Sequence, residues 1–178
     1  MKSIHLILLV AVVISSSCQQ KLTKTKGLNS DSFMPMQIGN SWKMGDQNYT
    51  EIQDTVRIGN KTYFKFYSLV GGDAVDIKYL RIDENNALLE AYPDQPGKIY
   101  THAKFNSKIN DEFYTLGDQS ENDYKVRVTE KSENRMTFEF DMVHHPKLKG
   151  STHQVTYIKG KGLDEKWQNI TINNEVIK

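Results

Sequence analysis

The sequence has a single cysteine, Cys18, among its 178 residues. One thiol cannot form an internal disulfide, so the fold does not depend on a disulfide framework. Acidic and basic residues nearly balance, at 22 and 23, and removal of Lys2 with a leader segment would leave 22 of each. The basic stripe that neutralises nucleic-acid phosphates is missing, so we expect no nucleic-acid partner.

Long apolar runs are also missing, apart from one over residues 4–14. At about a dozen residues this run is shorter than the roughly 20 needed to span a bilayer. Lys2 precedes it, and serines at 15–17 follow it directly before Cys18. A cation, a short apolar segment and small residues are typical of an export signal, which we predict over residues 1–17.

Cys18 follows the small residues in a way that resembles the lipobox of bacterial lipoproteins, with Ser15 where that box usually has a leucine-like residue. The resemblance implies two or three acyl chains on Cys18, and each buried methylene contributes about 0.8 kcal/mol of membrane affinity. Gln19, rather than aspartate, follows the cysteine, which favours the outer membrane. We expect a lipid-anchored envelope protein facing the periplasm. The alternative is an ordinary signal peptide that leaves Cys18 as an unmodified thiol.

The segment after the cysteine is polar and contains three lysines without apolar periodicity. This composition is typical of a flexible tether, so we predict a lipidated tether over residues 18–32. The rest of the chain shows no break in composition, and its length suits one domain. We therefore predict a single β domain over residues 33–178.

Short segments with an apolar and polar alternation of period two dominate this region, which is the pattern of half-buried strands. We predict strands over 49–58, 62–70, 75–83, 87–92, 98–105, 123–130, 135–143, 152–159 and 165–172, with an uncertain segment over 109–116. Pro93, Pro96 and Gly97 are interpreted as strand breakers. The predicted class is all-β, an antiparallel meander of about eight to ten strands that forms a closed or half-open barrel.

Three local patterns sharpen this prediction. Gly59-Asn60-Lys61 indicates a tight hairpin connection, because glycine and asparagine tolerate the positive φ that such turns require. The strand over 62–70 carries large apolar residues on both faces, so we expect it to be central or covered on both sides. Trp42 is expected to be a core anchor, and Ile99, Thr101, Ala103 and Phe105 are expected to share one strand face.

Several turns and anchors together resemble a group of small lipoproteins of Gram-negative envelopes, some of which are described as lipocalin-like. The matching segments are Pro35-x-x-x-Gly39-Asn40-x-Trp42, Asn60-Lys61-Thr62-Tyr63, Tyr79-Leu80-Arg81-Ile82-Asp83-Glu84 and Lys159-Gly160-Lys161-Gly162-Leu163. The resemblance covers most of the chain after Cys18. It implies a β domain and carries no catalytic residues.

His144, His145 and His153 form the one grouping that suggests a metal, since imidazoles are suitable ligands for zinc or copper. Adjacent histidines on an extended chain point to opposite faces, however, so a solvated loop is the simpler interpretation. The paired carboxylates Asp83-Glu84 and Asp111-Glu112 lie in or beside predicted turns, where solvated charge is expected. The chain has no G-x-S-x-G nucleophile elbow. We predict no cofactor and no catalytic residue.

The aromatic residues have two interpretations. They could line a cavity for a lipid or another apolar ligand, or they could fill the core of a small sheet. The residues in question are Trp42, Tyr63, Phe64, Phe66, Tyr67, Tyr79, Tyr92, Tyr100, Tyr157 and Trp167.

Three functions follow from these observations. The first is a non-enzymatic, membrane-anchored lipoprotein whose β domain binds a ligand or an envelope protein. The second is a lipocalin-like carrier of an apolar ligand. The third is a metal-assisted hydrolase that uses the three histidines.

Overall fold

The computed structural model describes residues 31–177 of the chain, and within them all regular structure is β-strand. The strands are β1 Ser41–Gly45, β2 Asn48–Ile58, β3 Lys61–Val70, β4 Ala74–Ile82, β5 Ala87–Tyr92, β6 Gln95–Lys104, β7 Glu112–Tyr114, β8 Lys125–Lys131, β9 Arg135–Asp141, β10 His153–Ile158, β11 Gly162–Leu163, β12 Asn169–Ile172 and β13 Glu175–Val176. The predicted signal and Cys18 lie outside the described residues. In the part that is described, no helix has the length and apolarity to cross a bilayer.

The strands form two antiparallel sheets. One has eight strands in the order β13-β12-β1-β2-β3-β4-β5-β6, and the other has five in the order β11-β10-β9-β8-β7. Most neighbours in each sheet are neighbours in the chain, so the predicted all-β meander is confirmed. Over residues 31–177 the sheets do not close into one barrel, so the half-open alternative is the observed one. The structure has more strands than predicted because it includes β1, β7, β11 and β13, which are too short to show a clear apolar alternation in the sequence.

The predicted β2–β3 hairpin is confirmed, with β3 beginning at Lys61, one residue earlier than predicted. Ile58 pairs with Lys61, which leaves Gly59-Asn60 as the two-residue turn. Gly59 has a φ of +58°, and Asn60 is not among the residues with positive φ. Positive φ at the first central residue is the requirement of a type II′ turn, whereas type I′ needs it at both.

The β5–β6 connection differs from the prediction. Tyr92 pairs with Gln95, so β6 begins three residues early and runs through Pro96 and Gly97. These residues do interrupt the pairing, because Ala91 pairs with Ile99 and residues 96–98 have no partner in β5. A proline is tolerated there, since its missing N–H removes no ladder hydrogen bond from an unpaired stretch.

One core fills the space between the two sheets. Trp42, Ile52 and Phe66 enter it from the larger sheet, while Phe138 and Tyr157 enter from the smaller. On β9 the apolar residues at every second position, Met136, Phe138 and Phe140, are all buried, and Thr137 between them is buried as well. The expectation that Trp42 anchors the core is also confirmed, and its indole Nε1–H donates to the carbonyl of Lys161 at 2.5 Å.

A smaller apolar cluster covers part of the opposite face of the larger sheet. Ile58, Tyr63 and Ala91 are buried in it, with Tyr79 and Ile99 packed beside them. The guanidinium of Arg81 lies over the Tyr63 ring at 5.5 Å. Strand β3 therefore has apolar partners on both faces and lies between β2 and β4, as its sequence predicts.

The first described residues of the chain contact the turn between β10 and β11. The amide of Gly160 donates to the carbonyl of Ser32 at 2.8 Å, and the Ser32 hydroxyl donates to the carbonyl of Met34 at 2.9 Å. Lys159 Nζ lies 3.6 Å from the carboxylate of Asp31. Asp31 and Ser32 thus both contact the β10–β11 turn.

Candidate functional site

A cavity of about 320 Å³ lies between the two sheets. Its volume is at the lower end of the range of small-molecule sites, which is about 300–1,000 Å³. The interior surface is apolar and well buried. Its walls include Met34, Trp42, Phe66, Leu80 and Leu88 from one side and Phe140, Tyr157 and Trp167 from the other.

Polar residues line the part of the cavity that reaches solvent. Thr50 and Ser68 pair across β2 and β3, and their hydroxyls are 2.8 Å apart. Lys78 follows on β4, and its Nζ lies 3.6 Å from the Asp76 carboxylate. On an inward strand face these positions are normally apolar. The change from apolar to polar along the same face therefore marks where the core ends and the mouth of the cavity begins.

A β-bulge in β6 shapes one wall. Leu88 pairs with Ala103 and Leu89 pairs with Thr101, so His102 is an extra residue in β6. Bulges bend a strand and redirect its side chains. Here the rings of Tyr100 and His102 both line the cavity, with their centroids 4.7 Å apart.

The bulge also overturns one sequence expectation. Ile99 packs in the outer cluster, whereas Ala103 and Phe105 are buried in the main core. These residues were predicted to share one face with Thr101. The prediction is wrong because the extra residue reverses the alternation between Ile99 and Ala103.

The His102 side chain is held from behind by a carboxylate. Glu90 is buried on β5, and its Oε2 accepts a hydrogen bond from His102 Nε2 at 2.7 Å. The ring orientation is therefore fixed relative to the cavity. Sequence reasoning missed this pair because Glu90 and His102 belong to different strands and meet only through the β5–β6 register.

Two tyrosine hydroxyl groups lie within the cavity wall. Burial raises the pKa of Tyr100 to about 12, although a hydrogen bond with Thr115 opposes that shift. Burial also raises the pKa of Tyr157, and the neighbouring Tyr100 and Glu165 add to the effect. Both phenols are therefore neutral near pH 7 and can donate a hydrogen bond.

The two phenols differ in their polar neighbours. Tyr100 lies beside Thr115, which lowers the pKa of Tyr100 and whose own hydroxyl donates to Asp123 at 3.3 Å. The ring of Tyr157 packs edge-on against Phe105 and Phe138, and among residues 31–177 no group hydrogen-bonds to its hydroxyl. The buried side-chain atoms that lack a partner in the described part of the chain are Arg81 Nε and His144 Nε2, so the hydroxyl of Tyr157 is open to the cavity rather than sealed in the core. The Tyr157 hydroxyl is thus a donor that a bound molecule could satisfy.

Glu165 lies at the mouth of the cavity, in the segment between β11 and β12. Partial desolvation by the surrounding protein raises the pKa of its carboxyl, and the charge of Lys78 acts in the opposite direction. The mouth thus carries one acid and one base of opposite charge, together with the exposed ring of His153.

The three histidines that were predicted as weak metal candidates have different surroundings. His144 stacks on Tyr114 and lines a second cavity of about 120 Å³ with Asp123. His145 Nδ1 accepts hydrogen bonds from the amides of Lys147 and Leu148. Within the described residues, no group of three or more histidine, cysteine, aspartate or glutamate side chains is placed to hold a metal ion.

His153 is the candidate that reaches the main cavity. Its ring stacks on Phe140 at 5.1 Å and meets Tyr124 edge-on at 5.5 Å. It therefore contributes to an aromatic wall rather than to a grouping with the other two histidines.

The paired carboxylates serve turns and surface ion pairs. Asp83 accepts hydrogen bonds from the amides of Asn85 and Ala87, which closes the β4–β5 turn. Asp111 accepts from the amide of Lys108, and Glu112 forms an ion pair with Lys125 at 2.8 Å. Neither pair lines the main cavity.

The aromatic residues divide between the two interpretations. Five of the ten named from sequence line the cavity, namely Trp42, Phe66, Tyr100, Tyr157 and Trp167. The others pack in the outer cluster, against the core or on the outer face of the sheet. Tyr124 and Phe140 also line the cavity and were not among those ten. Alternation with period two identifies the apolar face of each strand. It does not show where the apolar faces of the two sheets are far enough apart to leave a cavity.

No family model, no curated protein and no solved structure matches the chain. The resemblance to envelope lipoproteins therefore remains a prediction from the quoted segments.

Proposed function

We propose that this chain is a lipid-anchored envelope lipoprotein whose β domain binds a small, mainly apolar ligand in the cavity between its sheets. The observation that supports the proposal is the cavity itself, with its buried aromatic floor and its polar mouth. Ligand sites have this organisation, because apolar walls provide most of the affinity and a few polar groups fix the orientation.

The volume of the cavity supports ligand binding over a packing defect. A dry apolar cavity of about 150 Å³ is large enough for benzene. The cavity described here has about 320 Å³, which leaves room for a bicyclic molecule.

Binding is preferred to hydrolysis as the function. The hydrolase hypothesis requires His144, His145 and His153 to converge, and the described contacts of the three rings lie in separate places. The residues that do converge are aromatic and aliphatic.

Tryptophan fluorescence offers a direct test, because both tryptophans of the chain, Trp42 and Trp167, line the cavity. We expect phenylnaphthylamine, a neutral fluorescent reporter, to bind the purified full-length protein and to receive energy from these indoles. Val155→Phe, which adds bulk at the cavity wall, should weaken binding. The matched control Val75→Phe lies at an exposed position away from the cavity and should leave binding unchanged.

Two outcomes would contradict this part of the proposal. One is absence of saturable energy transfer in the unaltered protein. The other is an equal effect of the two valine substitutions, which would place the bound reporter somewhere other than the cavity.

The membrane anchor needs a separate experiment, since Cys18 lies outside the described residues. Cells that express the chain should incorporate labelled palmitate into it, and Cys18→Ala should abolish the label and release the protein from the membrane fraction. An unmodified thiol found by mass spectrometry of the native protein would refute lipid anchoring and leave the ligand-binding proposal intact.

A further inference from the structure

We infer that the cavity selects a neutral, apolar molecule that carries one hydrogen-bond-accepting oxygen, a carbonyl or hydroxyl, directed at the hydroxyl of Tyr157. This inference rests on the proposed function and specifies the chemical class of its ligand.

The first argument is the state of the Tyr157 hydroxyl. Tyr157 is only 3% exposed, and it lines the cavity with no hydrogen-bond partner among residues 31–177. The phenol cannot turn toward the core, because Phe105 and Phe138 pack against its ring. An oxygen on a ligand would satisfy this donor, whereas a pure hydrocarbon would leave it unpaired.

The Tyr157 hydroxyl acts as a hydrogen-bond donor in the cavity wall. The raised pKa of Tyr157 keeps its proton in place, so the group offers O–H rather than a phenolate. Tyr100, its neighbour, lies beside Thr115, which lowers the pKa of Tyr100, whereas no hydrogen-bonding group acts on Tyr157 in this way. One available donor in an apolar enclosure favours a ligand with one acceptor.

The surroundings of Tyr157 disfavour a charged group on the ligand. The cation that lines the cavity, Lys78, lies at the mouth and is about half exposed, so it cannot neutralise an anion beside Tyr157. Glu165 acts on Tyr157 electrostatically and would repel an anion. A charge moved into these surroundings loses its hydration without full compensation.

The titratable groups around the cavity are consistent with a neutral ligand. They are Lys78, Glu90, Tyr100, His102, Tyr124, His153, Tyr157 and Glu165, and Asp76 lies beside Lys78. Glu90 is engaged by His102, and Asp76 is close to Lys78. The carboxylates of Glu90 and Asp76 are therefore each engaged by a neighbouring side chain rather than directed at a ligand.

The test compares acetylnaphthalene with ethylnaphthalene, which have nearly the same shape and differ by a carbonyl oxygen. Each is titrated as a competitor of phenylnaphthylamine on the full-length protein in lipid nanodiscs, with empty nanodiscs as the reference for partition into lipid. Tyr157→Phe removes only the hydroxyl. Tyr63→Phe is the matched control, because Tyr63 is as buried as Tyr157 but belongs to the outer cluster.

We expect Tyr157→Phe to weaken the binding of acetylnaphthalene about three- to tenfold and to leave that of ethylnaphthalene unchanged. Tyr63→Phe should change neither. Naphthoate and aminomethylnaphthalene, the charged analogues, should bind more weakly than acetylnaphthalene at pH 7.

The possible failures are distinguishable. If neither neutral naphthalene competes with the reporter, the proposed function fails. If both compete but Tyr157→Phe affects them equally, or if either charged analogue binds more tightly, the inference on ligand class is overturned while ligand binding stands. If Tyr157→Phe does not fold, the comparison is made on the unaltered protein alone. Equal affinities for acetylnaphthalene and ethylnaphthalene, after correction for lipid partition, would then overturn the inference.

Discussion

We expect Gly162→Ala to destabilise the domain more than Gly59→Ala, although both glycines have positive φ. Gly162 is buried at the start of β11 with a φ of +90°, and a Cβ placed there would lie 3.2 Å from Trp42 Nε1 and 3.3 Å from Met34 Sδ. Gly59 has a φ of +58° and no atom within 4 Å of the corresponding Cβ. The pair therefore separates backbone strain from crowding.

The magnitudes follow from these two terms. A left-handed conformation costs an L-residue about 1–2 kcal/mol, and this cost applies to both variants. Crowding adds about 1–3 kcal/mol for Gly162→Ala alone, as overpacking of a core typically does. The Trp42 ring cannot retreat freely, because its Nε1–H is bonded to the carbonyl of Lys161. Met34 is flexible and can absorb part of the strain, which favours the lower end of that range.

Urea denaturation followed by tryptophan emission measures the free energy of unfolding of each variant. Gly162→Ala should lose about 1–3 kcal/mol more than Gly59→Ala, and its emission should also shift in the folded state because Trp42 is displaced. Equal losses in the two variants would refute the reasoning. They would mean that Trp42 and Met34 move aside without cost and that the cavity floor is not tightly packed.

Three further predictions concern the core, a buried acid and a buried phenol. Phe138→Ala should cost about 3–5 kcal/mol in urea denaturation, while Val75→Ala at an exposed site should stay within about 0.5 kcal/mol. Burial opposes ionisation of Asp123, but hydrogen bonds from the amides of Leu116 and other residues outweigh it and lower its pKa. A lowered pKa stabilises the fold above the unfolded pKa of about 3.9, and this stability is lost as the pH falls, so Asp123→Asn should flatten the acid limb of a stability profile. Burial raises the pKa of Tyr100 to about 12, so stability should fall as the pH rises from about 10 toward 12, and Tyr100→Phe should reduce that loss in alkaline titration.

Alternation of apolar residues was sufficient to predict the class and most strands. Met136, Phe138 and Phe140 show why, since each faces the core on a strand without a bulge. The hairpin turn at Gly59-Asn60 was also predictable, because a tight turn requires positive φ and glycine is the residue type that adopts it most easily. Short strands such as β11 and β13 were missed, since two residues are too few to show any periodicity.

The cavity could not be predicted from sequence. Its location depends on where two inward faces separate, and its wall depends on a bulge that moves His102 out of register. Glu90 reads as an ordinary surface acid in the sequence, and only the β5–β6 pairing brings it to His102. The histidine grouping suggested from sequence was a consequence of proximity along the chain, and the structure places those rings in different surroundings.

The extra residue in β6 also affects which insertions and deletions this fold can accept. Deletion of the codon for His102 would leave Thr101 opposite Leu89 and Ala103 opposite Leu88, as they already are, and would remove the irregularity between these two pairs. The imidazole would disappear from the wall, and the carboxylate of Glu90 would lose its partner. A single in-frame insertion or deletion is therefore enough to add or remove one chemical group of the chamber while every neighbouring strand keeps its place.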